Sequence, residues 1–101
     1  MGDLTKVAAK SDLPSGASML VEVHGQKIAL FNSNGCYYAI SDTCNHRGGP
    51  LSQGQVEGII VICPWHGARF DLGTGRVQTP FGKDLPTFKV VIEDNDIKIE
   101  M

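Results

Sequence analysis

Two cysteine–histidine pairs are the residues of this sequence best suited to chemistry. Cys44 and His46 form a C-x-H box. After sixteen intervening residues, Cys63 and His66 form a C-x-x-H box. Thiolate and imidazole are the groups with which proteins bind zinc and other transition metals. If the fold brings the two boxes together, these four side chains can hold one metal centre.

Zinc is one candidate for this ligand set. The usual zinc-finger spacing places both cysteines before both histidines. In this chain the two residue types alternate, and their flanks are rich in glycine. A structural zinc-binding module therefore stays open as an alternative. Metal analysis distinguishes it, because zinc is colourless whereas iron with equimolar sulfide is brown.

The cysteine count argues against a disulfide framework. The chain has three cysteines, and its first residues lack the apolar stretch of a secretory signal peptide. Disulfide-rich scaffolds are typical of exported proteins. We expect the third cysteine, Cys36, to be a buried small apolar residue at the start of a strand.

The two boxes resemble those of the Rieske iron–sulfur family. The segments C-N-H and C-P-W-H-G match that family in composition, order and separation, and the resemblance extends over nearly the whole chain. It implies one [2Fe–2S] cluster. Cys44 and Cys63 are then the ligands of one iron, with the cysteine side lying deeper. His46 and His66 are the ligands of the other iron, with their outer edges facing the partners.

The resemblance also predicts the reduction potential. High-potential respiratory members of the family have an additional cysteine in each box and hydroxyl side chains in the second box. Here Gly49 and Trp65 stand in place of those cysteines. Ala68 and Phe70 stand in place of the hydroxyls. Because fewer donors then stabilise the reduced state, we expect the low end of the Rieske range, about −150 mV.

The elements that must position the two boxes are strands. Apolar and alternating segments separated by turns predict an antiparallel sandwich or barrel. The predicted strands cover residues 20–23, 27–31, 36–40, 59–62, 88–93 and 97–101, with further strand residues around 56. The helical signal is one turn near residues 11–14, which Ser11 or Asp12 can cap. Two polar, glycine-rich segments, 41–54 and 63–75, are predicted loops, and each carries one cysteine and one histidine.

The resemblance implies an all-β Rieske fold, an antiparallel β-sandwich with an inserted cluster-binding subdomain. We expect a single domain over residues 1–101, with the subdomain at about 41–82. Pro80 resembles part of the family's third loop, which covers the site. Arg69 and Asp71 are expected to form an ion pair that holds the second loop.

Composition excludes several classes of function. The chain has 101 residues, a net charge of −2 and no basic run, which makes nucleic acid a poor candidate partner. No apolar stretch approaches the roughly 20 residues that span a membrane. The expected location is the cytoplasm.

The expected function is electron transfer and not catalysis. An oxygenase centre needs a mononuclear iron held by two histidines and a carboxylate, but the chain has three histidines and the cluster uses two. No glycine-rich dinucleotide motif is present. We therefore expect a ferredoxin that carries electrons from a flavin reductase to a terminal ring-hydroxylating oxygenase. The alternative is the small Rieske subunit of an assimilatory NAD(P)H nitrite reductase.

Overall fold

The structure is a computed structural model that describes residues 4–43, 50–65, 67–80 and 83–100. Regular structure in these ranges is almost entirely strand, as predicted. The strands are β1 (Leu4–Ala9), β2 (Ser18–Val23), β3 (Gln26–Ser33), β4 (Cys36–Ser41), β5 (Gln55–Glu57), β6 (Ile60–Ile62), β7 (Arg69–Asp71), β8 (Thr87–Glu93) and β9 (Asp96–Glu100). Two 3-10 helices cover Lys10–Asp12 and Leu51–Gln53.

The strands form two antiparallel sheets. The larger sheet has six strands in the order β1-β9-β8-β4-β3-β2, and the smaller has three in the order β5-β6-β7. All three strands of the small sheet lie between β4 and β8 in the chain, so this sheet is an insertion into the large one. The predicted fold class, an antiparallel β-sandwich with an insertion, is confirmed.

Two tight hairpins fix the register of the large sheet. His24 and Gly25 join β2 to β3 with φ angles of 51° and 78°, and Asn34 and Gly35 join β3 to β4 with 53° and 87°. Positive φ at both central residues is what the two-residue type I′ turn requires, and asparagine and glycine adopt it most readily. Both turns lie between strands that the sequence predicted, and His24 is exposed.

Strand β3 is buried on both of its faces. Ile28 and Leu30 belong to one core cluster, whereas Ala29 and Phe31 belong to the other. The first cluster is enclosed by the large sheet, which brings β1 close to β2. The second lies between the two sheets and extends to the small sheet through Phe70, among others. Burial of large apolar side chains contributes about 1.5–3 kcal/mol each, so the second cluster holds the small sheet on the large one.

Sequence analysis missed two strands and misplaced one cap. Only one side chain of β1 is buried, and β7 has three residues, so neither shows a strong alternating pattern. Segment 63–75 is therefore not loop throughout, since it contains β7. The predicted single turn is the helix Lys10–Asp12. Ala9 is its N-cap, and Asp12 stabilises it by accepting a hydrogen bond from the Ala9 amide at 3.0 Å.

Candidate metal centre

The first loop leaves the large sheet after β4 and returns at Pro50. Thr43 and Pro50 form an antiparallel bridge, so the residues that flank positions 44–49 in the chain lie side by side. The Leu51 amide donates to the carbonyl oxygen of Asp42 at 2.6 Å. Leu51 is also the first residue of the 3-10 helix that follows the loop. Both ends of the loop are thereby held together. The predicted ligands Cys44 and His46 lie outside the described residues.

The second loop is the connection between β6 and β7. The Cys63 amide donates to the Ala68 carbonyl oxygen at 2.8 Å, and the Gly67 amide donates to the Cys63 carbonyl oxygen at 3.1 Å. Gly67 has a φ of 76°, which favours glycine and lets the chain reverse here. The predicted ligand His66 lies outside the described residues.

Cys63 is placed at the edge of the core between the two sheets. It is buried in the cluster that also contains Leu51, Ala68 and Phe70. A thiolate is a soft ligand of the kind that iron–sulfur clusters use. An apolar wall around such a ligand limits access of water to the group it binds. The position of Cys63 therefore fits a cluster ligand on the deeper side of the site.

The two loops leave the small sheet side by side. Gln55, just after the first loop, pairs with Ile62, just before Cys63. A Cβ atom added at Gly54 would overlap the carbonyl oxygen of Ile62, so the two chain segments are in close backbone contact. Leu51 and Cys63 also share one core cluster. The anchors of both boxes are thus within contact of one another.

A third segment packs beside β7. Phe70 forms a bridge with Val77, and the Gln78 amide donates to the Arg69 carbonyl oxygen at 2.7 Å. Pro80 follows two residues later and is exposed. Its role in covering the site stays a prediction.

Two predictions made from the sequence are wrong. Arg69 forms no ion pair with Asp71 among the described residues. Instead, the Asp71 carboxylate accepts hydrogen bonds from the amides of Gly73 at 2.8 Å and Thr74 at 3.1 Å and stabilises the turn after β7. Cys36 is exposed and not buried, because it is the first residue of β4 and directly follows the tight turn at Asn34 and Gly35.

The residues predicted to set the reduction potential have contrasting environments. Ala68 and Phe70 are fully buried in the core cluster that contains Cys63. Trp65, at the tip of the second loop, is 62% exposed. Its indole therefore contributes an apolar surface beside the boxes that is open to solvent.

The comparison with protein families decides the identity of the domain. A model of the Rieske [2Fe-2S] domain matches residues 3–89. The chain belongs to the Rieske [2Fe–2S] domain family. This Rieske protein carries a [2Fe–2S] cluster. No helix in the described ranges is long and apolar enough to cross a membrane.

Two relatives of this Rieske protein are ferredoxin components of dioxygenase systems. The ferredoxin component of the naphthalene 1,2-dioxygenase/salicylate 5-hydroxylase systems of Ralstonia sp. is 38% identical over 95 residues, 93% of this chain and 91% of the relative. The ferredoxin component of biphenyl 2,3-dioxygenase from Rhodococcus jostii (strain RHA1) is 33% identical over 99 residues, 97% of this chain and 92% of the relative. The present chain is accordingly an electron-transfer protein and not a catalytic subunit.

A solved structure of similar architecture supports the same assignment. It is described as the complex of reduced oxygenase and oxidized ferredoxin in carbazole 1,9a-dioxygenase. One of its chains superposes on this Rieske protein with a TM-score of 0.89 and 30% identity, covering 96% of this chain and 92% of that chain.

Proposed function

We propose that this Rieske ferredoxin carries single electrons from a flavin-containing reductase to a terminal ring-hydroxylating oxygenase in the cytoplasm. A [2Fe–2S] cluster held by the two boxes would supply the one-electron redox chemistry. Cys44 and Cys63 are the proposed ligands of one iron. His46 and His66 are the proposed ligands of the other iron. Residues 41–82 form the proposed cluster-binding subdomain of a single domain, 1–101.

One observation carries the ligand assignment. The described residues that flank the two boxes are in contact at one end of the small sheet. They are residues 42–43 and 50–54 for the first box and residues 62–63 and 67–68 for the second. Any group bound by both boxes is then held by two short, closed loops. Because the core fixes both anchors, the ligands need little rearrangement between the oxidised and reduced states.

The chain's own residues have separable roles in this proposal. Cys63 supplies a thiolate from the apolar interior, where it is protected from solvent. The turn at Gly67 reverses the chain directly after the second histidine. The exposed Trp65 lies one residue before that histidine and offers partners an apolar contact. We therefore expect electrons to enter and leave on the side of the site where the two histidines lie.

The cluster ligands are tested on the protein alone. Anaerobically purified protein is expected to contain iron and sulfide in equal amounts and to give a Rieske-type electron paramagnetic resonance spectrum after reduction with dithionite. His46→Ala and His66→Ala should each abolish that spectrum, while His24→Ala, at an exposed turn residue outside both boxes, should leave it unchanged. Zinc without iron, or a normal spectrum in either ligand variant, would overturn the assignment.

The role as a carrier is tested with its partners. Under anaerobic conditions, a reductase of this class should reduce the ferredoxin, and the ferredoxin should then reduce a ring-hydroxylating oxygenase in single turnovers. Gel filtration of native extract should place the chain near its mass of 10.9 kDa. Permanent elution with a large catalytic subunit would contradict the free carrier and would favour a nitrite reductase subunit.

A further inference from the structure

Asp42 is a buried carboxylate at the base of the first loop. Its side chain is 3% exposed. The other buried polar side chains of the described ranges, Asn32 and Ser52, have no ionisable group. One residue, Thr43, separates it from Cys44 in the chain, so the Cα atoms of Asp42 and Cys44 lie at most about 7 Å apart. Its position next to the first box is therefore guaranteed by covalent connectivity.

Asp42 holds three chain segments together. Its amide donates to the Lys27 carbonyl oxygen in β3 at 3.0 Å, and its own carbonyl oxygen accepts from Leu51 at 2.6 Å. The carboxylate oxygen Oδ1 accepts the amide of Ser52 at 2.7 Å. The Ser52 carbonyl oxygen in turn accepts the hydroxyl of Ser18 in β2 at 2.7 Å. The carboxylate thus fastens the return of the first loop to the large sheet.

Hydrogen bonding alone does not explain why this residue is an aspartate. Burial of a charge is much more costly than burial of a neutral amide. An asparagine has an oxygen that can accept the same hydrogen bond from Ser52 without the cost of a buried charge. The other aspartates that accept backbone amides among the described residues, Asp12, Asp71 and Asp84, do so at positions that are not buried. Aspartate instead of asparagine at this buried position therefore calls for an explanation of its own.

We propose that Asp42 is a positioning residue of the first cluster loop whose negative charge lowers the reduction potential of the site. This inference rests on the proposed ligands. Reduction adds one negative charge to the site, and a fixed negative charge nearby in a poorly solvated interior disfavours that state. The carboxylate acts through the loop that it holds and through its field, without contacting the reacting partners.

The test separates the two parts of this role with two substitutions. Asp42→Asn keeps an oxygen for the Ser52 amide and removes the charge. Asp42→Ala removes both. The matched control is Asp12→Asn, which makes the same change at an exposed aspartate that caps a helix next to the other core cluster.

We expect Asp42→Asn to retain the wild-type iron content and resonance spectrum while its potential, measured by protein-film voltammetry, shifts upward. Asp12→Asn should leave the potential unchanged. Asp42→Ala should bind less iron per folded chain than Asp42→Asn does. Circular dichroism measures the folded fraction of each variant.

An unchanged potential in Asp42→Asn would overturn the inference, as would an equal iron content in the alanine and asparagine variants. If the alanine variant does not fold, the potential of the asparagine variant decides alone. A wild-type protein without a Rieske spectrum would instead refute the proposed ligands, so the two failures are distinguishable.

Discussion

Gly54 lies where the backbone of the first loop meets the strand that leads to Cys63. Its φ and ψ of −77° and 168° are open to any residue, so the backbone does not require glycine. The atoms packed around Gly54 do require glycine, because they leave no room for a Cβ atom. An alanine Cβ would overlap the Ile62 carbonyl oxygen and would lie 3.1 Å from the Leu51 carbonyl oxygen. Both obstacles are backbone atoms, which cannot rotate away. Gly54→Ala must therefore push the two loop anchors apart.

The expected size of the effect follows from two opposing contributions. Overpacking costs about 1–3 kcal/mol. Replacing glycine by alanine in a compatible backbone stabilises by about 0.4–1 kcal/mol, because the unfolded chain loses freedom. We expect a net loss of about 1–2 kcal/mol, which lowers the melting temperature of a domain of this size by about 5–15 °C.

Gly73→Ala is the matched control. Gly73 is also outside the left-handed region, and its added Cβ would meet only the Asp71 carboxylate at 3.3 Å and the Tyr38 ring at 4.0 Å. Both are side-chain atoms that can move slightly, so we expect a change of less than about 0.5 kcal/mol.

The assay compares thermal unfolding of the two cluster-loaded variants by circular dichroism, together with the visible absorbance of the cluster. Gly54→Ala should unfold at lower temperature than Gly73→Ala and should lose the cluster absorbance earlier. Equal melting temperatures would refute the conclusion that backbone contact at this point couples the two loops.

Three further results are expected. Leu51→Ala truncates a fully buried side chain beside Cys63 and should cost about 2–5 kcal/mol in thermal or urea unfolding. Ala68→Ser combined with Phe70→Tyr restores two hydroxyls near the second box and should raise the reduction potential in voltammetry. Glu93→Gln should slightly destabilise the protein at neutral pH, because a side-chain hydrogen bond from Lys98 to Glu93 raises the pKa of Lys98. Because the pKa of Lys98 is raised above its usual value of 10.5, the ion pair stabilises the folded protein fully at pH values below 10.5. The difference in stability between the two proteins should therefore vanish as the pH rises through the folded-state pKa of Lys98.

Each of these results has a control and a contrary outcome. Leu20→Ala, at a side chain that is 49% exposed, should change stability far less than Leu51→Ala. An unchanged potential in the double variant would count against the role of hydroxyl donors. If Glu93→Gln destabilised equally at neutral and strongly alkaline pH, the ion pair with Lys98 would not be the cause.

Local sequence was sufficient to predict the hairpins and the type of site. The turns at Gly25 and Gly35 follow from the φ angles that glycine and its neighbours adopt, and such preferences act within two or three residues. The metal-binding character of the two boxes follows from the identity of their donor atoms, which does not depend on the fold. Their spacing was sufficient to suggest the Rieske family, which the family comparison then established.

Tertiary contacts decided what local patterns do not contain. Strand β1 forms because β9 pairs with it, although Leu4–Ala9 has little alternation of its own. Cys36 has the side chain of a buried residue but lies at an exposed strand end. In each case the outcome depends on which groups from elsewhere in the chain reach the residue.

The cluster site shows the same division. The ligand types that we propose for it can be read from the sequence, because thiolate and imidazole are properties of single residues. The closure of the first loop by Asp42 and the tight contact at Gly54 come from segments that meet only after the sheets have formed. Burial and backbone contact are properties of the packed chain, so the structure alone could identify these two residues as parts of the site.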